Sequence, residues 1–238
     1  MDATVSATRL IPAVAVPEGA GVTVYRTIGT PALRNYDPFL LLDHISSDNP
    51  DDYAAGFPSH PHRGFNTFTY MIDGHMEHQD SMGNTGDLAP GSAQWMKAAS
   101  GIIHSEMPKQ ENGLMRGFQL WINLPAANKM DQPEYQEYAA EAFPVVETAD
   151  YTLKVLIGRF ADAVHPLLMR LPTSCIWMCM CSPANIFSIT CRWSIPAFCM
   201  RSRVVDKLRG ETCRSIHWLY WVLMTVYLIL LREKKVRG

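Results

Sequence analysis

The sequence predicts an all-β fold built from short antiparallel strands. Residues 67–72 are mostly β-branched or aromatic, and they run directly into the turn Asp73-Gly74. Two further turn clusters follow at residues 82–87 and 90–92, and both contain glycine. Short strands at this spacing, closed by glycine turns, predict a small antiparallel barrel or sandwich. A barrel of this kind can hold a buried metal ion.

The remaining elements of this half continue the pattern. Alternating polarity, apolar runs and breakers such as Pro125 mark the strand positions. The predicted strands are residues 21–28, 37–43, 67–72, 117–124 and 151–158. We expect a polar loop over residues 46–56 and a connector over residues 128–138.

Two pairs of potential metal ligands bracket the central strands. His60 and His62 form one pair, and His104 and Glu106 form the other. Because residues i and i+2 of a strand point to the same face, each pair can line one side of a pocket. Three imidazoles and one carboxylate are therefore expected to converge on one ion.

Other polar residues of this stretch have simpler interpretations. His75 and His78 follow the turn Asp73-Gly74, and we expect neither to be a ligand. Asp80 is expected either to support a ligand from behind or to be solvated.

Several runs around these residues have a highly specific sequence. They are His60-Pro61-His62-Arg63-Gly64-Phe65, Gly91-Ser92-Ala93-Gln94-Trp95-Met96, Gly101-Ile102-Ile103-His104-Ser105-Glu106-Met107-Pro108 and Gln119-Leu120-Trp121-Ile122-Asn123-Leu124-Pro125. Together they closely resemble the pirin family of the cupin superfamily, over roughly residues 20–160. The resemblance implies a bicupin whose N-terminal β-barrel carries one metal ion, usually iron. Matched residue by residue, the family's ligands fall on His60, His62, His104 and Glu106.

Net charge and cysteine usage limit the expected partners and compartment. The chain has a formal net charge of -2, which gives no case for binding nucleic acid or an anionic membrane. Residues 1–6 include Asp2 and do not begin a basic and then apolar leader, so we expect no export. The first 160 residues contain no cysteine, which fits a reducing cytoplasm.

Composition divides the chain near residue 161. Residues 161–238 contain 11 of the 21 Lys+Arg and 4 of the 23 Asp+Glu, so this tail carries +7 and residues 1–160 carry -9. The tail also has all six cysteines but only two of the fifteen glycines. We therefore predict a metal-binding domain over residues 1–160 and an aberrant tail over residues 161–238.

The tail has the pattern of a coding sequence read in the wrong frame. Residues 175–181 read Cys-Ile-Trp-Met-Cys-Met-Cys, and these amino acids have so few codons that their bases can be partly reconstructed. Regrouped one base earlier, the bases encode alternating apolar and polar residues, which is typical of a half-buried strand. We infer that a one-base shift between Phe160 and Ser174 has replaced the second cupin domain. The tail is then expected to show little order or stray helix, and the first barrel to expose the face that the second would cover.

Two literal interpretations of the tail stay open. Residues 218–231 are nearly all apolar and precede a basic cluster, as in a membrane anchor, but a span needs about 20 apolar residues. We therefore expect no membrane span. The cysteines suggest a zinc site, although Cys179 and Cys181 are the only close pair and no C-x-x-C occurs.

The predicted ligand set suits redox chemistry. Three neutral imidazoles and a carboxylate favour Fe, Mn, Cu, Ni or Zn over Mg or Ca, and the family resemblance favours Fe(II). Four protein ligands on an octahedral ion leave two positions for dioxygen and a chelating enol or catechol, with Glu106 as catalytic base.

Three functional hypotheses follow from this site and tail. The first is an iron-dependent dioxygenase acting on flavonols such as quercetin, an activity known in the pirin family. The second is a non-enzymatic, metal- and redox-responsive regulatory protein that binds a protein partner. The third is a non-functional remnant that lacks half of its bicupin.

Overall fold

The computed structural model describes residues 5–147, 151–160, 162–165, 167, 176–181, 186–189, 197–201 and 227–233. In chain order the strands are β1 (Val5–Pro12), β2 (Val14–Glu18), β3 (Val22–Ile28), β4 (Phe39–Ser47), β5 (Phe57–His62), β6 (Phe65–Asp73), β7 (Met76–Asp80), β8 (Thr85–Leu88), β9 (Ala93–Lys97), β10 (Ile102–Pro108), β11 (Met115–Asn123), β12 (Glu134–Tyr138), β13 (Val145–Glu147), β14 (Tyr151–Ile157), β15 (Arg159–Phe160), β16 (Ala163–Val164), β17 (Ile176–Cys181), β18 (Ile186–Ile189), β19 (Ala197–Arg201) and β20 (Tyr227–Glu233). Single 3₁₀ turns lie at Pro50–Asp52, Ala126–Asn128 and Ala140–Ala142. The all-β prediction is confirmed.

Two antiparallel sheets form the barrel of the N-terminal half. The larger has the strand order β12-β9-β6-β11-β4-β3-β2, and the smaller has the order β5-β10-β7-β8. One apolar cluster joins the two sheets, because Val24 and Met71 of the larger sheet pack with Met76 and Leu88 of the smaller. The candidate ligands lie on β5 and β10, so the smaller sheet supplies them.

The central strand β6 is buried on both of its faces. Phe68 and Tyr70 point into a cluster that also contains Leu153 and Val155 of β14, whereas Met71 points into the cluster between the two sheets. We expected the outer face of this barrel to be exposed, and that expectation is wrong for these residues. The apolar residues of β14 cover this face because they alternate as a half-buried strand does.

Most strand predictions agree with the observed elements to within a few residues. Residues 37–43 are an exception in their bounds, since the strand begins at Phe39 and continues to Ser47. The connector expected over residues 128–138 is wrong in part, because Glu134–Tyr138 forms β12 and pairs with β9. Its Glu-Tyr-Gln-Glu-Tyr sequence looked like a polar loop, but pairing at a sheet edge satisfies such a strand.

The longer described segments of the tail, at residues 176–181, 186–189, 197–201 and 227–233, are strands and not the stray helix that was the second of the two expectations. Ile176–Cys181 pairs with β14, and Tyr227–Glu233 pairs with both β1 and β19. Their aromatic, β-branched and apolar residues favour extended structure. The apolar run at residues 218–231 lies largely outside the described residues. No helix in the described part of the chain is long and apolar enough to cross a membrane.

Candidate metal centre

Strand β10 lies between β5 and β7, and this order brings three ligand-rich pairs side by side. His104 is opposite His60 on one side and Asp80 on the other. Glu106 is opposite His78. Because directly opposite residues of antiparallel strands share a face, these side chains all point the same way.

Three histidines meet at the centre of this face. The Nε2 atoms of His60 and His62 are 3.1 Å apart, a separation that suits two ligands whose nitrogens each lie about 2.0–2.1 Å from a metal. The rings of His60 and His62 lie 4.4 and 4.8 Å from that of His104, centroid to centroid. The ring nitrogens of all three fall in one group that could hold an ion.

Burial keeps two of these imidazoles neutral. The pKa of His62 is lowered to about 3 by burial first, and then by its neighbours His104 and His60. The pKa of His104 is also lowered to about 3, by burial and then by His60 and His78. A neutral imidazole presents a lone pair, which is the form that binds a metal.

One atom of the group is buried and unpaired. Nε2 of His104 has no hydrogen-bond partner within the described residues, and the residue is 1% exposed. An unpaired buried acceptor carries a desolvation cost of about 1–3 kcal/mol, which a bound cation would offset. The donor set and this atom fit a transition-metal ion held by His60, His62 and His104.

Glu106 lies beside the three histidines, in a dense set of hydrogen bonds. It is 2% exposed, and its Oε2 accepts from Gln119 Nε2 at 2.7 Å. Its Oε1 accepts from Thr69 Oγ1 at 3.2 Å and from Gln94 Nε2. The ring nitrogens that group with its carboxylate are those of His104 and His78, whereas His60 and His62 belong to the other group. Convergence of all four predicted ligands on one ion stays a prediction.

Aromatic side chains border the histidines. The Trp121 ring lies 5.0 Å from that of His62 and stacks on Phe65 at 4.4 Å. Nε1 of Trp121 donates to Gln119 Oε1 at 3.1 Å, which turns the Gln119 amide nitrogen toward Glu106. A half-buried aromatic wall therefore adjoins the metal-binding face.

Glu106 also lines a cavity. Its lining is mainly apolar, with Thr69, Gln119 and Asp43 as the polar members beside Glu106. The apolar lining residues are Val24, Ile45, Phe57, Met71, Met76 and Phe118.

Comparison with known proteins places this half of the chain in a family. Residues 21–122 match the family model described as Pirin. This segment is a pirin domain.

Curated relatives support the assignment over the same half. The chain is 57% identical over 146 residues to a Pseudomonas aeruginosa protein provisionally named a quercetin 2,3-dioxygenase, covering 61% of this chain and 51% of the relative. It is 52% identical over 142 residues to a pirin-like protein of Caulobacter vibrioides, covering 59% and 51%. The chain therefore spans about half the length of these relatives.

Solved structures show the same fold. A quercetin 2,3-dioxygenase from Acinetobacter baumannii superposes with a TM-score of 0.62 at 27% identity, covering 83% of this chain and 64% of that one. The barrel of the pirin domain is thus a cupin barrel.

The pirin domain also contains site residues that the sequence argument undervalued. His78 is fully buried, and its Nδ1 lies 3.4 Å from Nδ1 of His104. The Asp80 side chain is buried as well. Burial raises its pKa, but hydrogen bonds from Asn84, His78 and Met82 together leave that pKa below its ordinary value. The missed signal was the i, i+2 spacing of His78 and Asp80, the same spacing as in the two ligand pairs.

His75 differs from His78 in its surroundings. Its side chain is half exposed, and its Nδ1 lies 3.6 Å from Asp87 Oδ1, away from the three histidines. It is the natural control for substitutions in the site.

Proposed function

We propose that the pirin domain holds one Fe(II) ion through His60, His62, His104 and Glu106 and is a dioxygenase acting on flavonols such as quercetin. The observation that carries the proposal is the meeting of three imidazoles, two of them buried and neutral, one of which has a buried Nε2 without a hydrogen-bond partner within the described residues. The Pseudomonas relative and the Acinetobacter protein are both named as quercetin 2,3-dioxygenases, which supports the substrate class.

The metal and the protein residues have separate tasks in this proposal. Iron, when bound, supplies the electron transfer that lets dioxygen react with an organic ring. The nitrogen-rich donor set also suits Mn, Cu, Ni or Zn, so the metal identity is part of the proposal.

Glu106 is proposed as the catalytic base that takes the flavonol hydroxyl proton. Amide groups of Gln94 and Gln119 donate hydrogen bonds to its carboxylate and hold it in place. A carboxylate fixed in this way can accept a proton from a hydroxyl within hydrogen-bond reach.

The aromatic wall is proposed to orient the substrate. Trp121 and Phe65 present stacked, half-buried rings next to His62. Flat aromatic ligands stack on such rings, which contribute about 0.5–1.5 kcal/mol per pair beyond area burial. A flavonol lying there would have its hydroxyl groups close to the histidines and to Glu106.

Metal content tests the ligand set. Full-length protein is purified, stripped with chelator, reloaded with iron under nitrogen and analysed for metal. His62→Ala and His104→Ala should each lose most of the iron, whereas His75→Ala should retain the wild-type content. Equal content in all three variants would disprove the ligand assignment.

Turnover tests the activity. Iron-loaded protein should consume oxygen and bleach quercetin at equal rates. Glu106→Gln should lose far more turnover than iron, because an amide cannot take a proton. Loss of iron in proportion to loss of turnover would instead make Glu106 only a ligand.

Other outcomes favour the competing proposals. Stoichiometric iron without any quercetin turnover would favour a metal-responsive regulatory protein with a protein partner. Failure to bind any of the five metals would favour a non-functional remnant. Cytoplasmic location stays a prediction in each case.

A further inference from the structure

A buried chain of polar groups runs from Asp80 through His78 to His104. Oδ2 of Asp80 lies 3.4 Å from Nε2 of His78, and Nδ1 of His78 lies 3.4 Å from Nδ1 of His104. The side chains of Asp80 and His78 are fully buried, and His104 is 1% exposed. These three side chains therefore connect the turn after β7 to the three-histidine group without contact with solvent.

The turn after β7 fixes the acceptor end of this chain. Oδ1 of Asp80 accepts from the backbone N–H groups of Met82 and Asn84, at 2.9 and 3.0 Å. Oδ2 accepts from Asn84 Nδ2 at 2.8 Å. An ionised carboxylate can only accept hydrogen bonds, so Nε2 of His78 must carry a hydrogen and donate it to Asp80.

The direction of the first hydrogen bond decides the second. A neutral histidine that donates through Nε2 can only accept through Nδ1. The hydrogen between the two rings then belongs to Nδ1 of His104. This leaves Nε2 of His104 as a bare lone pair. Nε2 is buried and has no hydrogen-bond partner within the described residues, and His104 belongs to the group formed with His60 and His62.

Tyr135 holds the middle of the chain in place. Its ring stacks on His78, with centroids 4.4 Å apart and planes 15° from parallel. Tyr135 comes from β12 of the larger sheet, so both sheets fix the His78 ring.

We propose that Asp80 and His78 are positioning residues that keep His104 in the Nδ1–H tautomer and so present its Nε2 to a metal ion. The proposal rests on His104 being a ligand in the proposed metal centre, but not on dioxygenase activity. It follows a general rule, that a ligating histidine donates its other ring N–H to a group that sets its tautomer and orientation.

The alternative role for His78 is direct ligation. His78, His104 and Glu106 form a second, fully buried group that could hold an ion. A ligand and a positioning residue differ in one measurable respect, since only the ligand's own nitrogen responds directly to the metal.

The test variant is Asp80→Asn in the full-length chain. The two backbone donors that now bind Oδ1 would keep the asparagine carbonyl at that position, which places its NH₂ group opposite Nε2 of His78. The Asn84 amide, which now donates to Oδ2, would turn so that its oxygen accepts from this NH₂ group. A donor there forces Nε2 of His78 to accept, so that Nδ1 of His78 carries the hydrogen and donates it to Nδ1 of His104. The hydrogen of His104 then lies on its Nε2. Asp87→Asn is the matched control, because Asp87 is an exposed acid on β8 that pairs with Lys109.

The measurements are the ¹⁵N NMR spectrum of histidine-labelled, metal-free protein and a titration with Zn(II), which is diamagnetic. Wild type and Asp87→Asn should show His104 as the Nδ1–H tautomer, with zinc shifting Nε2 of His60, His62 and His104. Asp80→Asn should show the Nε2–H tautomer and an affinity for zinc lower by about 10- to 100-fold.

Other results would overturn the proposal in distinguishable ways. If His104 of the wild type carries its hydrogen on Nε2, the proposed role of Asp80 and His78 is refuted, whether or not any variant folds. An unchanged tautomer or zinc affinity in Asp80→Asn also refutes it. A direct zinc shift at His78 makes that residue a ligand. Absence of zinc shifts at the three histidines of wild type would mean that the proposed ligand set is wrong. The proposed role of Asp80 and His78 would then be wrong as well.

Discussion

His44 offers a test of how a buried imidazole in the core of the larger sheet affects the acid stability of the protein. The residue lies on β4, is 1% exposed, and stacks on Phe118 with centroids 4.6 Å apart. Neither of its ring nitrogens has a hydrogen-bond partner within the described residues. Its pKa is lowered to about 3, by burial first and then by the positive charge of Arg116. We predict that His44→Phe makes the protein less sensitive to acid.

The sign and size of this effect follow from proton linkage. An unfolded histidine has a pKa of about 6.5, so between that value and about 3 the unfolded chain binds a proton that folded His44 does not. The contribution of neutral His44 to the free energy of unfolding is therefore fully present above about pH 6.5, and it is lost as the pH falls toward 3. Between pH 7 and pH 5 the loss due to His44 is about 2 kcal/mol. In His44→Phe this contribution disappears.

Urea unfolding of metal-free protein at pH 7 and pH 5 measures the difference. The fall in free energy of unfolding between the two pH values should be smaller by about 2 kcal/mol in His44→Phe than in wild type. The other buried histidines contribute equally to both proteins and cancel. The phenyl ring is larger than the imidazole that it replaces, so at pH 7 the substitution should change stability by about 1–3 kcal/mol. This offset cancels because each protein is compared with itself at the two pH values.

A matched control and a direct observation complete the test. His75→Phe removes a half-exposed histidine and should keep the wild-type acid sensitivity. Equal acid sensitivity of wild type and His44→Phe would refute the reasoning, because His44 would then be protonated or hydrated in the folded state. An NMR titration in which His44 gains its proton near pH 6 would refute it independently.

Two further predictions concern the ion pair between Arg26 of β3 and Asp43 of β4 and the origin of the tail. Arg26 donates hydrogen bonds of 2.8 and 2.7 Å to the two carboxylate oxygens of Asp43, which is 7% exposed. Arg26→Met leaves this carboxylate buried without its partner, so it should lower the free energy of unfolding, measured in urea, by about 3–5 kcal/mol. Arg34 is exposed, and Arg34→Met should leave that free energy unchanged. A loss below about 1 kcal/mol, as for a surface pair, would show that water reaches Asp43. For the tail, we propose that the gene read one base earlier from Ser174 encodes an uninterrupted pirin-like second domain beginning with an alternating strand, and sequencing the gene and its transcript checks this. Early stop codons in that frame would rule the shift out.

The local pattern of the sequence was enough to predict several strands of the first half. Residues 67–72 are mostly β-branched or aromatic and end at an Asp-Gly turn, and these are properties of neighbouring residues. The observed strand is Phe65–Asp73. The polar edge strand Glu134–Tyr138 was missed because its stability comes from pairing with β9, which no local pattern shows.

The sequence also identified the two ligand pairs, since i, i+2 spacing puts two side chains on one face of any strand. His60 with His62 and His104 with Glu106 needed no tertiary information to be proposed. That spacing alone could not say which strands become neighbours.

Only the tertiary structure decided what surrounds these pairs. The order β5-β10-β7 places Asp80 opposite His104 and His78 opposite Glu106. The members of these two pairs are 24 and 28 positions apart in the sequence. The same packing buries His78, leaves Nε2 of His104 unpaired and divides the candidate ligands into two groups. Residue types and spacing determined which side chains could bind a metal. Strand order and burial, which depend on long-range contacts, determined their partners, protonation and exposure.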